Sequence, residues 1–81
     1  SPSSSPEIHV RGPIQDLVIN GDHSGEVTVA GITFVVTSTT ELEDAADNHV
    51  TLNEFNVGDS VDAWGPSPTD NRTHAKKIRK R

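Results

Sequence analysis

From Ile8 onward, apolar and polar residues alternate. Ile8, Val10, Gly12 and Ile14 fall on one side, and His9, Arg11 and Pro13 on the other. A period of two predicts a strand with one buried face. Gly12-Pro13 predicts a bend or an edge position, because proline has no N–H for a ladder; Leu17, Val18 and Ile19 continue the strand beyond it. Asn20-Gly21 opens a turn that runs to Gly25, since both residues tolerate positive φ. Residues 26–29 predict a second strand with Val27 and Val29 inward. Ala30-Gly31 is a two-residue connection to a third strand over 32–37, with Ile32, Phe34 and Val36 on one face. Residues 60–65 predict a fourth, with Val61 and Ala63 inward and Asp62 and Trp64 outward. A loop over 66–71 leads to a last strand over 73–81. There Ala75 and Ile78, three positions apart, cannot share a face, which predicts a bulge or early fraying.

Residues 38–58 follow another rhythm. Ser38, Thr39 and Thr40 precede Glu41 as N-cap candidates, and Leu42, Ala45, Ala46 and His49 have helical spacing. The spacing predicts a helix of about two turns or a loop. Leu52, Phe55 and Val57 are expected to close the end of the core. The core itself is predicted to consist of Val27, Val29, Ile32, Phe34, Val36 and Val61.

Five strands with a short helix or loop between the third and fourth is the order of the OB-fold barrel. The expected class is therefore all-β, a small five-stranded OB-like barrel, with an SH3-type split barrel as its competitor. Short hairpins without a crossover helix exclude a parallel α/β sheet. Residues 1–6, Ser-Pro-Ser-Ser-Ser-Pro, read as a linker, leaving 7–81 as a single domain.

Composition agrees with a β domain and removes several chemistries. Of 81 residues, 31% are hydrophobic, with one Trp, two Phe and no Tyr. With no Cys, disulfides, thiol nucleophiles and cysteine-held metals are excluded. No apolar run approaches the roughly 18 residues that would span a membrane as a helix. A chain that opens on Ser1 is expected to be cut from a longer one. The net charge of -5 is unevenly spread: residues 1–71 hold all 12 acidic groups and only Arg11, and the other six basic residues follow from 72 to 81. The acidic body repels polyanions and the basic tail attracts them, or folds back on that body.

Val10-Arg11-Gly12-Pro13-Ile14, then Val27 to Val36 with its turn at Ala30-Gly31, then Thr40-Glu41-Leu42, form a pattern that continues in Phe55-Asn56-Val57-Gly58-Asp59-Ser60-Val61-Asp62-Ala63-Trp64-Gly65 and Ala75-Lys76-Lys77-Ile78. Over residues 8–80 this resembles an uncharacterised family of bacterial OB-like domains. Pro13, Ala63 and the strongly basic C-terminus depart from the family pattern. The resemblance implies a β-barrel of the kind carried by exported bacterial proteins, in the periplasm, at the cell surface or outside the cell. It implies no catalytic residue.

The chemistry-bearing residues are sparse. His9, His23, His49 and His74 lie one per segment without metal-ligand spacing. Glu41, Glu43, Asp44, Asp47 and Asn48 lack the calcium-loop pattern and read as a solvated face. Asp22-His23-Ser24 sits in a turn, where these residue types serve the backbone. Asn71-Arg72-Thr73 is a glycosylation sequon, relevant only to a eukaryotic secreted chain. No cofactor, metal or catalytic residue is expected, so the chain reads as a non-enzyme. Two features invite a partner. Trp64, outward on its strand, either stacks a ligand or packs over its neighbours. Lys76, Lys77, Arg79, Lys80 and Arg81 either contact a polyanion or protect an edge strand. The reading is a non-catalytic binding or spacer module of a larger exported bacterial protein, acting on a protein or polymer partner. Its alternative is an oligonucleotide-binding OB domain that uses Trp64 and the basic strand. Nucleic acid is expected to bind only weakly, through the tail. The two readings differ in whether Trp64 and the tail share one face.

Overall fold

The computed structural model describes residues 7–21 and 23–81; the expected linker over 1–6 lies outside them. Alternation makes strands where it was expected. These are β1 (Glu7–Gly21), β2 (Ser24–Val29), β3 (Ile32–Val36), β4 (Glu41–Glu43), β5 (Ser60–Pro66), β6 (Arg72–His74) and β7 (Lys77–Lys80), with one 3-10 turn at Leu52–Glu54. They pair in the order β4-β7-β5-β1-β2-β3-β6. The chain is all-β, and the described residues contain no α-helix.

β1 is one long strand that changes partner midway. Residues Glu7 to Pro13 pair with β5 and residues Ile14 to Gly21 with β2, both antiparallel. Pro13 falls at the last rung of the β5 ladder, opposite Ser60, which is where a residue without an N–H costs least. The β2–β3 connection is the expected tight turn, with Ala30 at φ 55 and Gly31 at φ 80. Its Gly31 N–H donates to Gln15 Oε1 on β1 at 2.8 Å.

Two expectations are corrected. The first is the closed five-stranded barrel: the ladder order contains seven strands and is open, ending on β4 and β6. The anticipated last strand is split in two at Ala75–Lys76, where the spacing of Ala75 and Ile78 required an interruption. At the break, Ala75 N–H donates to Val35 O on β3 and Lys76 N–H to Trp64 O on β5. β6 runs parallel to β3, and β7 antiparallel to β5.

The second correction concerns the insert: of the helix or loop expected, the helix is absent, and loop surrounds a three-residue strand and a 3-10 turn. β4 pairs in parallel with β7. The Thr40 hydroxyl caps no helix; it accepts the Thr37 N–H and donates to Ala75 O at 2.7 Å. Asp44 Oδ1 takes the N–H groups of Ala46 and Asn48, and Asp47 sits at φ 66. Aspartate that satisfies backbone donors locally competes with the helix, so the helical spacing of Leu42, Ala45 and Ala46 never becomes a helix.

The core comprises Ile14, Val27, Val29, Phe34, Val36, Leu42, Leu52, Phe55, Val61, Ala63, Ala75 and Ile78. It holds five of the six predicted core residues; Ile32 is only half-buried, at the rim. Leu52 and Phe55 close the end as expected, whereas Val57 is exposed.

Candidate functional site

Inward alternation on β5 sends Val61 and Ala63 into the core, so Asp62 and Trp64 stand on the outer face. The ladders then fix their neighbours. His9, Trp64 and Lys77 form one row across β1, β5 and β7; Arg11, Asp62 and Arg79 form the next. Glu41 and Glu43 on β4 extend the rows beside Lys77 and Arg79.

Trp64 is half-buried and covered from both neighbouring strands. The His9 ring stacks on it at 4.7 Å with planes 6° apart, and Lys77 Nζ lies over the indole, 5.5 Å from its centre. His9 and Lys77 thus pack over Trp64, which remains partly exposed.

Asp62 points outward yet is only 7% exposed, because the side chains of Arg11, Arg81 and His9 close over it. Oδ1 accepts from Arg11 Nε at 3.0 Å and lies 3.1 Å from His9 Nε2. Oδ2 accepts from Arg81 Nη1 at 3.4 Å. Burial alone would push the carboxyl pKa up; the hydrogen bonds of Arg11 and His9, with the charges of Arg11 and Arg81, outweigh it and hold the pKa below its ordinary value. Asp44 is also held low, chiefly by the Asn48 backbone N–H. A depressed folded pKa gives stability that is complete above the unfolded value, near 4, and is lost as pH falls through the folded one. Urea midpoints measured between about pH 5 and pH 2 should therefore fall on acidification, and fall less steeply for Asp62→Asn. Equal slopes for the two proteins would mean that the Asp62 pairing adds nothing.

The tail folds back on the acidic body. Lys76 meets Glu7 at 2.9 Å, Lys77 meets Glu43 at 3.2 Å, Arg79 meets Asp47 at 3.0 Å and Lys80 meets Asp59 at 3.8 Å. Arg72 pairs with Glu26 on β2. Such exposed pairs contribute little stability each, but they offset much of the tail's attraction for a polyanion.

Two grooves flank Trp64. The larger, of about 500 Å³, lies along Arg11, Asp62, Arg79, Lys80 and Arg81, with Ala45 and the His9–Trp64 stack as walls. The other, of about 380 Å³, is bounded by Glu7, Glu41, Lys76 and Lys77. Of the residues singled out in the sequence, Trp64, Arg79, Lys80 and Arg81 come together in the first groove, and Lys76 and Lys77 line the second. Sequence reasoning missed His9, Arg11 and Asp62. Their outward positions were legible, but their meeting across more than 50 residues of chain was not. Among the described residues, no group of three or more metal-ligating side chains converges.

These features define an all-β domain with a cation-lined groove on one sheet face. The sequence profile of the domain of unknown function DUF5666 matches residues 11–79, and the chain belongs to that family. The matched span includes Arg11, Asp62, Trp64 and Arg79. No curated protein and no solved structure matches the chain.

Proposed function

We propose that this chain is a non-catalytic binding module of a larger, exported bacterial protein, with its ligand seated on the outer face of β1, β5 and β7. The observation that carries this reading is the first groove. Strands distant in sequence bring Arg11, Asp62, Trp64 and Arg79 into one open groove of mixed polar and apolar lining. We also read the sheet as rolled in the OB manner, with residues 72–80 acting as one interrupted strand. In support, β6 and β7 are separated only by Ala75 and Lys76, which hydrogen-bond to β3 and β5 respectively. Gly65 belongs to the same arrangement, because a Cβ there would come within 2.6 Å of His74 O.

The oligonucleotide reading has one observation in its favour: Trp64 and the tail share a face. Against it, His9 and Lys77 cover the indole where a base would stack, and the tail cations face carboxylates of the same chain. As the sole tryptophan, Trp64 is a built-in reporter, and its emission on addition of neutral sugars, peptides and a mixed oligonucleotide tests both readings. A saturable change with a ligand supports a module; no saturable response to any class favours a spacer. The oligonucleotide is expected to bind only at low salt, with a log–log slope no steeper than roughly -3.5 for five tail cations, and Trp64→Ala, followed by the anisotropy of a dye-labelled oligonucleotide, should leave that binding unchanged. Binding that persists at physiological salt and is lost in Trp64→Ala would establish the oligonucleotide reading instead.

A further inference from the structure

The groove beside Trp64 carries more positive charge than its own carboxylates offset. Arg11, Arg79, Lys80 and Arg81 line it. Asp47 faces Arg79, Asp59 faces Lys80, and Asp62 alone serves both Arg11 and Arg81. One cation is therefore in excess, and the excess sits at Asp62. Exposure orders these groups in depth. The Asp62 side chain is 10% exposed, whereas those of Arg11 and Arg81 are 59% and 45% exposed. A ligand arriving from water meets the guanidiniums first, with the carboxylate beneath them. Arg11 donates to that carboxylate through Nε and Arg81 through Nη1, one bond each. A guanidinium carries five N–H donors in a planar fork suited to two-point contact with an oxyanion.

We propose that this groove is an oxyanion site that takes the phosphate or sulfate group of a small organic ester between Arg11 and Arg81. The ester's apolar portion lies against Ala45 and Trp64. The proposal rests on the binding-module reading above and adds the ligand class. Two observations select an ester over a bare ion or a stacked base. The groove, at about 500 Å³ with Trp64 and Ala45 in its walls, has room for more than an inorganic anion. The His9 ring stacks on the indole and Lys77 Nζ lies over it, which disfavours a stacked base.

The test is a Trp64 emission titration at constant ionic strength with phenyl phosphate, phenol, inorganic phosphate and sulfate. Phenyl phosphate should give a saturable change, bind more tightly than phenol, and be displaced by phosphate and by sulfate. Arg11→Gln and Arg81→Gln should each weaken it by about tenfold, the loss expected for one charged hydrogen-bonding contact. Lys76→Gln, on the far groove, should leave it unchanged. All three side chains are exposed, and the far-ultraviolet dichroism of each variant checks that the fold survives loss of an Asp62 partner. Phenyl phosphate binding no tighter than phenol, or binding indifferent to both arginine substitutions, would overturn the oxyanion site. A saturable response to a neutral sugar or peptide in that case would leave the module reading standing, and silence from every ligand class would remove both.

Discussion

Phe34→Ala is expected to lower the unfolding free energy by about 3–5 kcal/mol, the cost of emptying a large buried aromatic site. Phe34 is completely buried at the middle of β3, opposite Val27 on β2 and Thr73 on β6. Its neighbours belong to ladders on both sides, so they cannot collapse into the space without moving a strand. A small domain has only about 5–15 kcal/mol of net stability, so the variant should be largely unfolded at moderate urea. Ile32→Ala, two residues earlier on the same strand but half-buried at the rim, should cost visibly less. Urea midpoints of the two variants decide the matter; equal losses would place Phe34 at the rim with Ile32.

Gly25→Ala is expected to be as damaging for the opposite reason. Gly25 lies between two ladders, opposite Ile19 on β1 and Val36 on β3. A Cβ there would sit 2.1 Å from Val18 O and 2.6 Å from Leu52 Cδ2. The leucine tip can give way, but the β1 carbonyl cannot move without breaking its ladder. The cost should reach or exceed the upper end of the roughly 1–3 kcal/mol typical of overpacking. At Gly31, by contrast, an added Cβ meets nothing within 4 Å, so Gly31→Ala carries only the strain of its φ of 80°. Gly25→Ala should be the less stable of the two by thermal midpoint, and the reverse order would contradict the close approach of β1 and β2.

Where the chain could be read and where it could not follows from local and distant chemistry. The β2–β3 hairpin was legible because Val27, Val29, Phe34 and Val36 keep a strict period of two around a turn that needs positive φ. The family pattern along the strands was legible for the same reason, and the profile match over residues 11–79 agrees with it. β4 was not legible. Leu42, Ala45, Ala46 and His49 carry helical spacing, and what defeats the helix is an Asp44 side chain bonded to its own turn together with a parallel ladder to β7, 36 residues away. The outward placement of Trp64 was also readable, but its covering by His9 and Lys77 depends on register between distant strands. Asp62 shows the limit most clearly. Alternation correctly placed it outside the core, yet outward did not mean solvated, because His9 and Arg11 on β1 and Arg81 after β7 close over it.

The proposed ligand occupies the outer face of β1, β5 and β7. An amide chemical-shift map of the isotope-labelled chain, titrated with phenyl phosphate at constant ionic strength, tests this most directly. The shifts should concentrate at His9–Arg11, Asp62–Trp64 and Arg79–Arg81, with β2 and β3 silent. Shifts centred on β2 and β3, or scattered evenly over every exposed lysine and arginine, would contradict it.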